Sequence, residues 1–374
     1  MTSIAKFTKN IARGTTSYLK YDLPIYACIA CYTAFTIIVL YAIDSRDMIS
    51  HSLYYTQWTT MFVLLMPILA FLIDAIYLVH RFDKKRTLAF RQMYSVDRIA
   101  RLLSGVALLM GLMFFQGSFT SLKNVLPVLQ SGFPYDQVQA DIDSWLHLGN
   151  DPWKMLHFVA GDGVLPLIEW NYNILWFVIC FGSLFYVCTS PRTRNIRARY
   201  ILMFMATWVV CGNVFAGLFL SAGPAFYGAV TGDVARFAEL TTILSGSESA
   251  SSSAANFQAY LWSLHVSQQP GFGSGISAFP SIHVALTMMN AMFVYDASRR
   301  YGSVALIYVG VILASSVYLG WHYAIDGYAS IILVLGLHYF CKHAFRKGGV
   351  RGQSIGKPAS AFGQSFRNAT SRIR

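Results

Sequence analysis

Charged residues are scarce in this sequence. Asp, Glu, Lys and Arg together make up 12% of its 374 residues, whereas roughly 25% is usual in a soluble domain. Hydrophobic residues make up 55%, and they are gathered into long runs rather than scattered. A soluble globular domain is therefore excluded, and the composition indicates a chain that crosses a membrane several times.

Cysteines are also few, and their positions do not indicate disulfide bonds. All six cysteines lie within or at the ends of apolar runs, so no disulfide framework is predicted. Cys28 and Cys31 have the C-x-x-C spacing, but in an apolar helix such a pair is expected to face lipid or to pack.

The first apolar run follows a basic stretch and is long enough to span a bilayer. We therefore expect it to remain as an anchor rather than to be cleaved as a signal peptide.

Eight apolar runs match the roughly 17–25 residues that a transmembrane helix needs. They lie at about 23–43, 58–80, 102–121, 171–190, 200–221, 282–297, 303–320 and 325–342. The sequence thus predicts an all-α, polytopic membrane helix bundle of about eight spans. The sixth and seventh runs are short and joined by a tight turn, so one re-entrant pair is the alternative.

Three regions are predicted along the chain. Residues 1–199 form N-terminal membrane helices with an outer amphipathic segment at 122–170. Residues 200–345 form a catalytic helix bundle, and 346–374 form a basic, disordered cytoplasmic tail, since they are rich in Gly, Ser and Arg without apolar periodicity.

The positive charges are distributed asymmetrically. Alternating spans place 25 of the 29 Lys and Arg residues on one side, in 1–22, 81–101, 192–199, 299–300 and 342–374. Positive charge marks the cytoplasmic side, so both termini are predicted to be cytoplasmic. The opposite side, called outer below, is acidic in 122–170. The net charge of +12 therefore reflects topology, and no nucleic-acid partner is expected.

Two outer segments stand apart from the spans. The segment 122–170 contains Trp-rich amphipathic pieces such as "DIDSWLHLGNDPWKMLHFV", which are typical of helices at the membrane interface. The segment 222–281 contains "DVARFAELTTIL", with apolar residues at helical spacing, and then the flexible stretch "SGSESASSSAAN". A flexible stretch between ordered ends is suited to a lid over a site, although most such loops are only connections.

Two histidines and a carboxylate are predicted to meet at the outer face. His283, in "SAFPSIHVALTMM", opens the sixth span, where unpaired backbone N–H groups favour an anion. His322 and Asp326, in "GWHYAID", are four residues apart and can meet on one helical face. A carboxylate bound to one imidazole nitrogen makes the other a better nucleophile. The alternatives are histidines that only cap helix ends, and a metal site, for which no tight ligand motif exists.

The motifs resemble those of the type 2 phosphatidic acid phosphatase superfamily. "FPSIHVA" and "HYAID" are similar to its second and third motifs and closest to the inositol phosphorylceramide synthase branch, with F-P-S-x-H followed by H-Y-x-x-D. "GPAFYG" resembles the first motif of that branch less specifically. The likeness covers about 200–340.

The resemblance implies a mechanism that needs no metal or other cofactor. His322 would attack a lipid-borne phosphorus and form a phosphohistidine, and Asp326 would orient it. His283 would protonate the leaving oxygen and then activate water or an alcohol. Substrate-binding positions are expected at the motif residues Ser281, Gly275, Pro224, Tyr227 and Tyr323.

The phosphatase branch carries cations that this sequence lacks. Ala216 and Gly223 stand where its first motif has Lys and Arg, and Ser316 stands where its third motif has Arg. Ile282 also replaces its Gly. The outer side has only four cationic residues, Arg46, Lys123, Lys154 and Arg236. Arg236 is the predicted phosphate-binding cation because it lies in the motif-bearing half; an ion pair with Asp233 or Glu239 is the alternative.

The sequence therefore predicts a membrane enzyme that transfers a phosphoryl or phospho-headgroup between lipids on the outer leaflet. Its partners would be a lipid phosphate and an alcohol or water acceptor. A lipid or polyprenyl phosphate phosphatase is the alternative. A transporter is disfavoured because the polar residues gather at one face rather than at mid-membrane. Headgroup, lipid and oligomeric state stay open.

Overall fold

The computed structural model describes residues 3–81, 87, 90, 93–246 and 253–347. Helix makes up 82% of the structure, and these described residues contain no strand, which confirms the all-α class. Of the predicted disordered tail, residues 348–374 lie outside the described residues, as do 247–252 of the serine-rich stretch.

We number the described α-helices in chain order. They are α1 Ser3–Tyr21, α2 Leu23–Ala42, α3 His51–Trp58, α4 Met66–Arg81, α5 Val96–Leu129, α6 Asp136–Leu146, α7 Pro152–Ala160, α8 Leu165–Trp170, α9 Trp176–Thr189, α10 Arg197–Val209, α11 Ala216–Leu218, α12 Tyr227–Thr231, α13 Ala238–Ser245, α14 Ala254–Val266, α15 Ile282–Ala297, α16 Arg299–Tyr318 and α17 Ala324–Lys347. Three π-helical segments join neighbouring helices without a break: Thr59–Leu65 (α3 to α4), Asn171–Leu175 (α8 to α9) and Val210–Phe215 (α10 to α11).

Seven helical stretches in the described part are long and apolar enough to cross a membrane. They are Leu23–Ala42, Arg46–His80, Val96–Leu129, Asp162–Thr189, Arg197–Leu218, Arg299–Tyr318 and Ala324–Arg346. Seven of the eight predicted spans coincide with them, and they indicate an integral membrane protein. The remaining predicted span, 282–297, is α15. Its 16 residues reach about 24 Å at 1.5 Å per residue, less than the hydrocarbon core.

Helix α15 lies in the centre of the bundle. It packs against α9, α10, α16 and α17, and most of its residues between Val284 and Phe293 are buried. The turn to α16 is tight, since a Cβ atom on Gly302 would lie 2.3 Å from the Tyr295 Cα. A helix that is surrounded by protein does not have to match the lipid thickness. This accounts for its short length.

Short helices cover the outer end of the bundle. Helix α6 packs on α12 and α17, and α7 packs on α16. Their outward faces carry apolar side chains, with Trp145 76% and Phe158 90% exposed, as expected of helices at a membrane interface. In "DVARFAELTTIL" the helix begins only at Ala238, because the preceding residues form a turn in which the Asp233 carboxylate accepts from the Ala235 N–H.

Candidate active site

The three motifs meet at the outer end of α15 and α17. Main-chain hydrogen bonds connect them: the Ala225 N–H donates to the Gly320 carbonyl (2.9 Å), and the Ala278 N–H donates to the Ser221 carbonyl (2.8 Å). The Ser281 N–H donates to the Asp326 carbonyl (3.3 Å). Backbone groups that are paired in this way fix the relative positions of the side chains the motifs carry.

Ser281 caps α15 and is fully buried. Its hydroxyl accepts from the Val284 N–H (3.4 Å), which is the usual role of a serine at an N-cap. Its carbonyl also accepts from the Ser330 hydroxyl on α17 (2.8 Å). Ser281 therefore holds the start of α15 against α17, and its hydroxyl is already engaged.

One tautomer of His322 is selected by its surroundings. Its Nδ1 lies 2.8 Å from the carbonyl oxygen of Ala278. A carbonyl can only accept, so Nδ1 must carry the proton and the lone pair must lie on Nε2. The ring is almost completely buried, so the protein itself determines which nitrogen carries the proton.

Asp326 contacts His322 as predicted, but from the first turn of α17. His322 precedes that helix, and its Nδ1 lies 3.3 Å from Asp326 Oδ2. The same oxygen accepts from the Tyr323 N–H (2.9 Å), the back-bond of a capping box. The other oxygen, Oδ1, is buried and has no hydrogen-bond partner among the described residues. Asp326 thus lies within contact distance of His322, while the Ala278 carbonyl is the nearer acceptor.

His283 lies between two aromatic rings of the helix that runs through α8 and α9. The Tyr172 ring stacks on it at a centroid distance of 4.2 Å, and the Trp176 ring lies 4.0 Å away on a tilt of 38°. The Trp176 Nε1 also donates to the His283 carbonyl (3.1 Å). Tyr172 belongs to a π-helical segment, a feature that is frequent at functional sites. No hydrogen-bond partner for the ring nitrogens of His283 occurs among the described residues, so they are available to a substrate.

Two buried acids of α6 hold the motif backbone in place. Asp136 accepts from the N–H groups of Ala222 (2.7 Å) and Gly223 (2.9 Å), and from the Tyr323 hydroxyl (2.8 Å). Asp143 accepts from Ala324 (3.1 Å) and Ile325 (3.0 Å), the first N–H groups of α17. These carboxylates join the first motif to the third and cap the helix that carries Asp326.

Sequence reasoning missed Asp136, Asp143, Tyr172 and Trp176 as parts of the site. The two acids are seven residues apart in "DQVQADID", which places them on one face of a helix, and that spacing was the available signal. No sequence signal pointed to Tyr172 and Trp176, because aromatic residues near span ends are common in membrane proteins.

The predicted substrate-binding residues have different surroundings. Pro224 and Tyr227 are buried and follow Gly223, whose N–H donates to Asp136. The Tyr323 hydroxyl also donates to Asp136. Gly275 has φ +94°, and a Cβ there would lie 2.9 Å from the Lys123 Cγ. Gly275 is thus the position at which the loop between α14 and α15 approaches α5.

Arg236 is bound to acids of the outer helices. Its guanidinium donates to Asp141 (2.6 Å), to Asp151 (3.3 Å) and to the Ala140 carbonyl (2.8 Å). Burial opposes its charge, but the hydrogen bond with Asp141 and the nearby Asp151 keep the pKa of Arg236 above its ordinary value. The sequence alternative named Asp233 or Glu239 as the partner; the structure shows Asp141 and Asp151 instead.

The electrostatics of the site favour the neutral form of His322. Burial lowers the pKa of His322 to about 3; the bond with Ala278 opposes this, and the charge of Lys123 adds to it. Burial raises the pKa of both Asp136 and Asp143, and the hydrogen bonds that each accepts from backbone N–H groups lower it.

In the described part of the chain, no three His, Cys, Asp or Glu side chains are arranged to hold a metal ion.

Comparison with known protein families identifies the class to which this fold and site belong. Residues 139–340, just over half of the chain, match the PAP2 superfamily, which is the phosphatidic acid phosphatase superfamily that the motifs resemble. The chain belongs to this superfamily. No curated protein and no solved structure matches it significantly.

Membership supports an enzyme of the lipid phosphatase or phosphotransferase type. The match starts within α6 and therefore includes Asp143, together with the helix that carries Tyr172 and Trp176. It begins earlier than the resemblance at 200–340 that the motifs alone indicate.

Proposed function

We propose that this protein is a membrane lipid phosphotransferase that forms a phosphohistidine on His322. The observation that carries the proposal is the hydrogen bond between His322 Nδ1 and the Ala278 carbonyl, which leaves the Nε2 lone pair free for attack. Nucleophilic catalysis requires an activated group of this kind beside a partner that orients it. Residues 200–345 would form the catalytic bundle, and 1–199 would anchor and cover it.

In the first half-reaction, Nε2 of His322 attacks the phosphorus of a lipid phosphate ester. The N–P bond forms, and the P–O bond to the leaving alcohol breaks. His283 gives its proton to the leaving oxygen. The ring of His322 becomes positively charged, and the buried Asp326 carboxylate stabilises that charge.

In the second half-reaction, an acceptor hydroxyl attacks the phosphohistidine. His283 takes the hydroxyl proton, the new P–O bond forms, and the N–P electron pair returns to Nε2. With an alcohol as acceptor the enzyme is a transferase; with water it is a phosphatase. The F-P-S-x-H and H-Y-x-x-D patterns and the missing phosphatase-branch cations support the alcohol, and with it the inositol phosphorylceramide synthase-like branch.

The site would act on the outer leaflet. The positive-inside distribution of charge supports cytoplasmic termini and motifs on the extracytoplasmic side. The exposed apolar residues of α6 and α7 beside the motifs support access from the membrane interface.

The test is an assay of the reconstituted protein with a panel of labelled phospholipids, with and without alcohol acceptors, followed by product identification by mass. We expect a phosphorylated acceptor in the wild type. We expect a loss of about a thousandfold or more in His322→Ala and Asp326→Asn, because groups that act as a unit each carry most of the rate. His343→Ala is the control, since this exposed histidine lies at the opposite end of α17.

Label on His322 that is lost in acid and kept in base would support the intermediate. Free phosphate as the product with every acceptor would favour the phosphatase. Full activity of His322→Ala would overturn the mechanism.

A further inference from the structure

The positions at which the phosphatase branch carries its cations cannot hold them here. Ala216 and Ser316 are fully buried among packed helices. A Cβ on Gly223 would lie 2.7 Å from the Trp321 carbonyl oxygen, and Gly223 has φ +93°. Because a phosphoryl group carries charge on its non-bridging oxygens, transfer depends on neutralising that charge. A cation must therefore come from elsewhere in the fold.

Three of the four cations of the outer end are poorly suited to this role. Arg236 is held by Asp141 and Asp151. Arg46 pairs with Asp44 at 3.1 Å, and both side chains are more than half exposed. Lys154 is exposed and lies over the Trp153 ring.

Lys123 remains, and its side chain lies beside the loop that contains Gly275. A Cβ on Gly275 would be 2.9 Å from its Cγ and 3.1 Å from its Cβ, so the lysine stem runs along the segment that leads to Ala278 and Ser281. Its positive charge is close enough to act on both His283 and His322. Lys123 is thus the cation that the structure brings to the two histidines.

Lys123 also has no binding partner in the described part of the chain. It is partly buried, and neither an ion pair nor a hydrogen bond of its ammonium occurs among the described residues. A partly buried ammonium without an anionic partner loses hydration without compensation. An anion bound between the histidines would supply the missing charge.

We propose that Lys123, on α5, binds the non-bridging oxygens of the phosphoryl group that His322 attacks. The residue lies outside the segment matched to the PAP2 superfamily, 139–340, so this cation comes from a membrane helix that precedes the matched bundle. The inference rests on the proposed function, because it places the phosphoryl group between His283 and His322.

Binding of inorganic phosphate to the purified protein tests the proposal apart from turnover. Thermal unfolding would be titrated with phosphate in the wild type, Lys123→Met, Lys123→Arg and Lys154→Met. We expect the phosphate Kd to rise about tenfold or more in Lys123→Met, the scale of a lost charged hydrogen bond. Lys123→Arg should recover part of the affinity because it keeps the charge. Lys154→Met should stay within twofold of the wild type.

The rate of lipid turnover is the second measurement that tests the role of Lys123. Lys123→Met should lower kcat with lipid substrate by about a hundredfold, since the charge is needed most in the transition state, and Lys123→Arg should retain more activity than Lys123→Met. Equal phosphate affinity in the wild type and a folded Lys123→Met overturns the proposal while leaving the function of His322 standing. A wild type that binds no phosphate and transfers no phosphoryl group overturns the proposed function, and this inference with it.

Discussion

At the scale of single residues, the main feature is that His322 stays neutral in a buried site. Burial lowers the pKa of His322 from 6.5 to about 3, so the protonated form appears only as the pH falls toward that value. At about pH 5 an exposed imidazole is mostly protonated, whereas His322 keeps its Nε2 lone pair.

We therefore expect phosphorylation of His322 to be nearly independent of pH between about 7 and 5. The donor should be an aryl phosphate, whose good leaving group does not need a proton from His283. Single-turnover reactions would be stopped in alkali, because phosphohistidine is labile in acid, and the change in rate should be less than about threefold. A decline of tenfold or more with a midpoint near 6.5 would contradict this protonation state.

The sequence predicted the histidines and Asp326 but not the partner that sets the tautomer. Side-chain identity and spacing indicate that His322 and Asp326 can meet. The Ala278 carbonyl, however, belongs to a loop 44 residues away, and a backbone acceptor has no sequence signature. The partners of Arg236 could not be predicted from the sequence either, because Asp141 and Asp151 lie 95 and 85 residues away from it.

At the scale of elements, α6 is the support on which the site depends. Asp136 and Asp143 together accept five hydrogen bonds from the first and third motifs. Both carboxylates are almost completely buried, so an amide at either position would present a donor to N–H groups that need an acceptor.

We expect Asp136→Asn and Asp143→Asn each to destabilise the protein by about 1–3 kcal/mol, the cost of an unsatisfied buried group. The midpoint of thermal unfolding in detergent would measure this. Asp143→Asn should also lower kcat more than it changes KM, because it loosens the start of α17, where Asp326 lies. Asp44→Asn is the control, since that carboxylate is 86% exposed. Unchanged melting and kinetics in Asp143→Asn would contradict a supporting role for α6.

Most membrane helices were predictable because bilayer thickness fixes their length and apolar character. The 16-residue helix α15 is the exception: its length is set by the helices that surround it. The π-helical segment that carries Tyr172 had no signal in the sequence, since a single added residue in a turn leaves the apolar pattern almost unchanged.

At the scale of the whole molecule, the two ends of the bundle differ in chemistry. The inner end is joined by ion pairs: Asp296 binds Arg199 (2.9 Å) and Lys342 (2.6 Å), which connects α10, α15 and α17. A buried pair of Asp22 and Arg197 joins α10 to the start of α2. The outer end holds the histidines and the buried acids of α6. Ion pairs thus connect the helices at the inner end, and the site lies at the opposite end of the bundle.

The predicted orientation can be tested with single cysteines in a background from which the native cysteines have been removed. Gly163 suits an outer probe because it is exposed and an added Cβ meets nothing within 4 Å. Gly271 does not, since its Cβ would lie 2.5 Å from the Tyr260 hydroxyl. Arg192 is an exposed position for the inner probe.

In intact cells, we expect an impermeant thiol reagent to label Gly163→Cys fully and Arg192→Cys only after permeabilisation. The physical reason is the concentration of Lys and Arg at the end that carries Arg192, which the membrane retains on the cytoplasmic side. Both proteins should retain lipid turnover, which shows that they are folded. The reverse labelling pattern would place His322 on the cytoplasmic face, and the lipid substrate would then have to come from the inner leaflet.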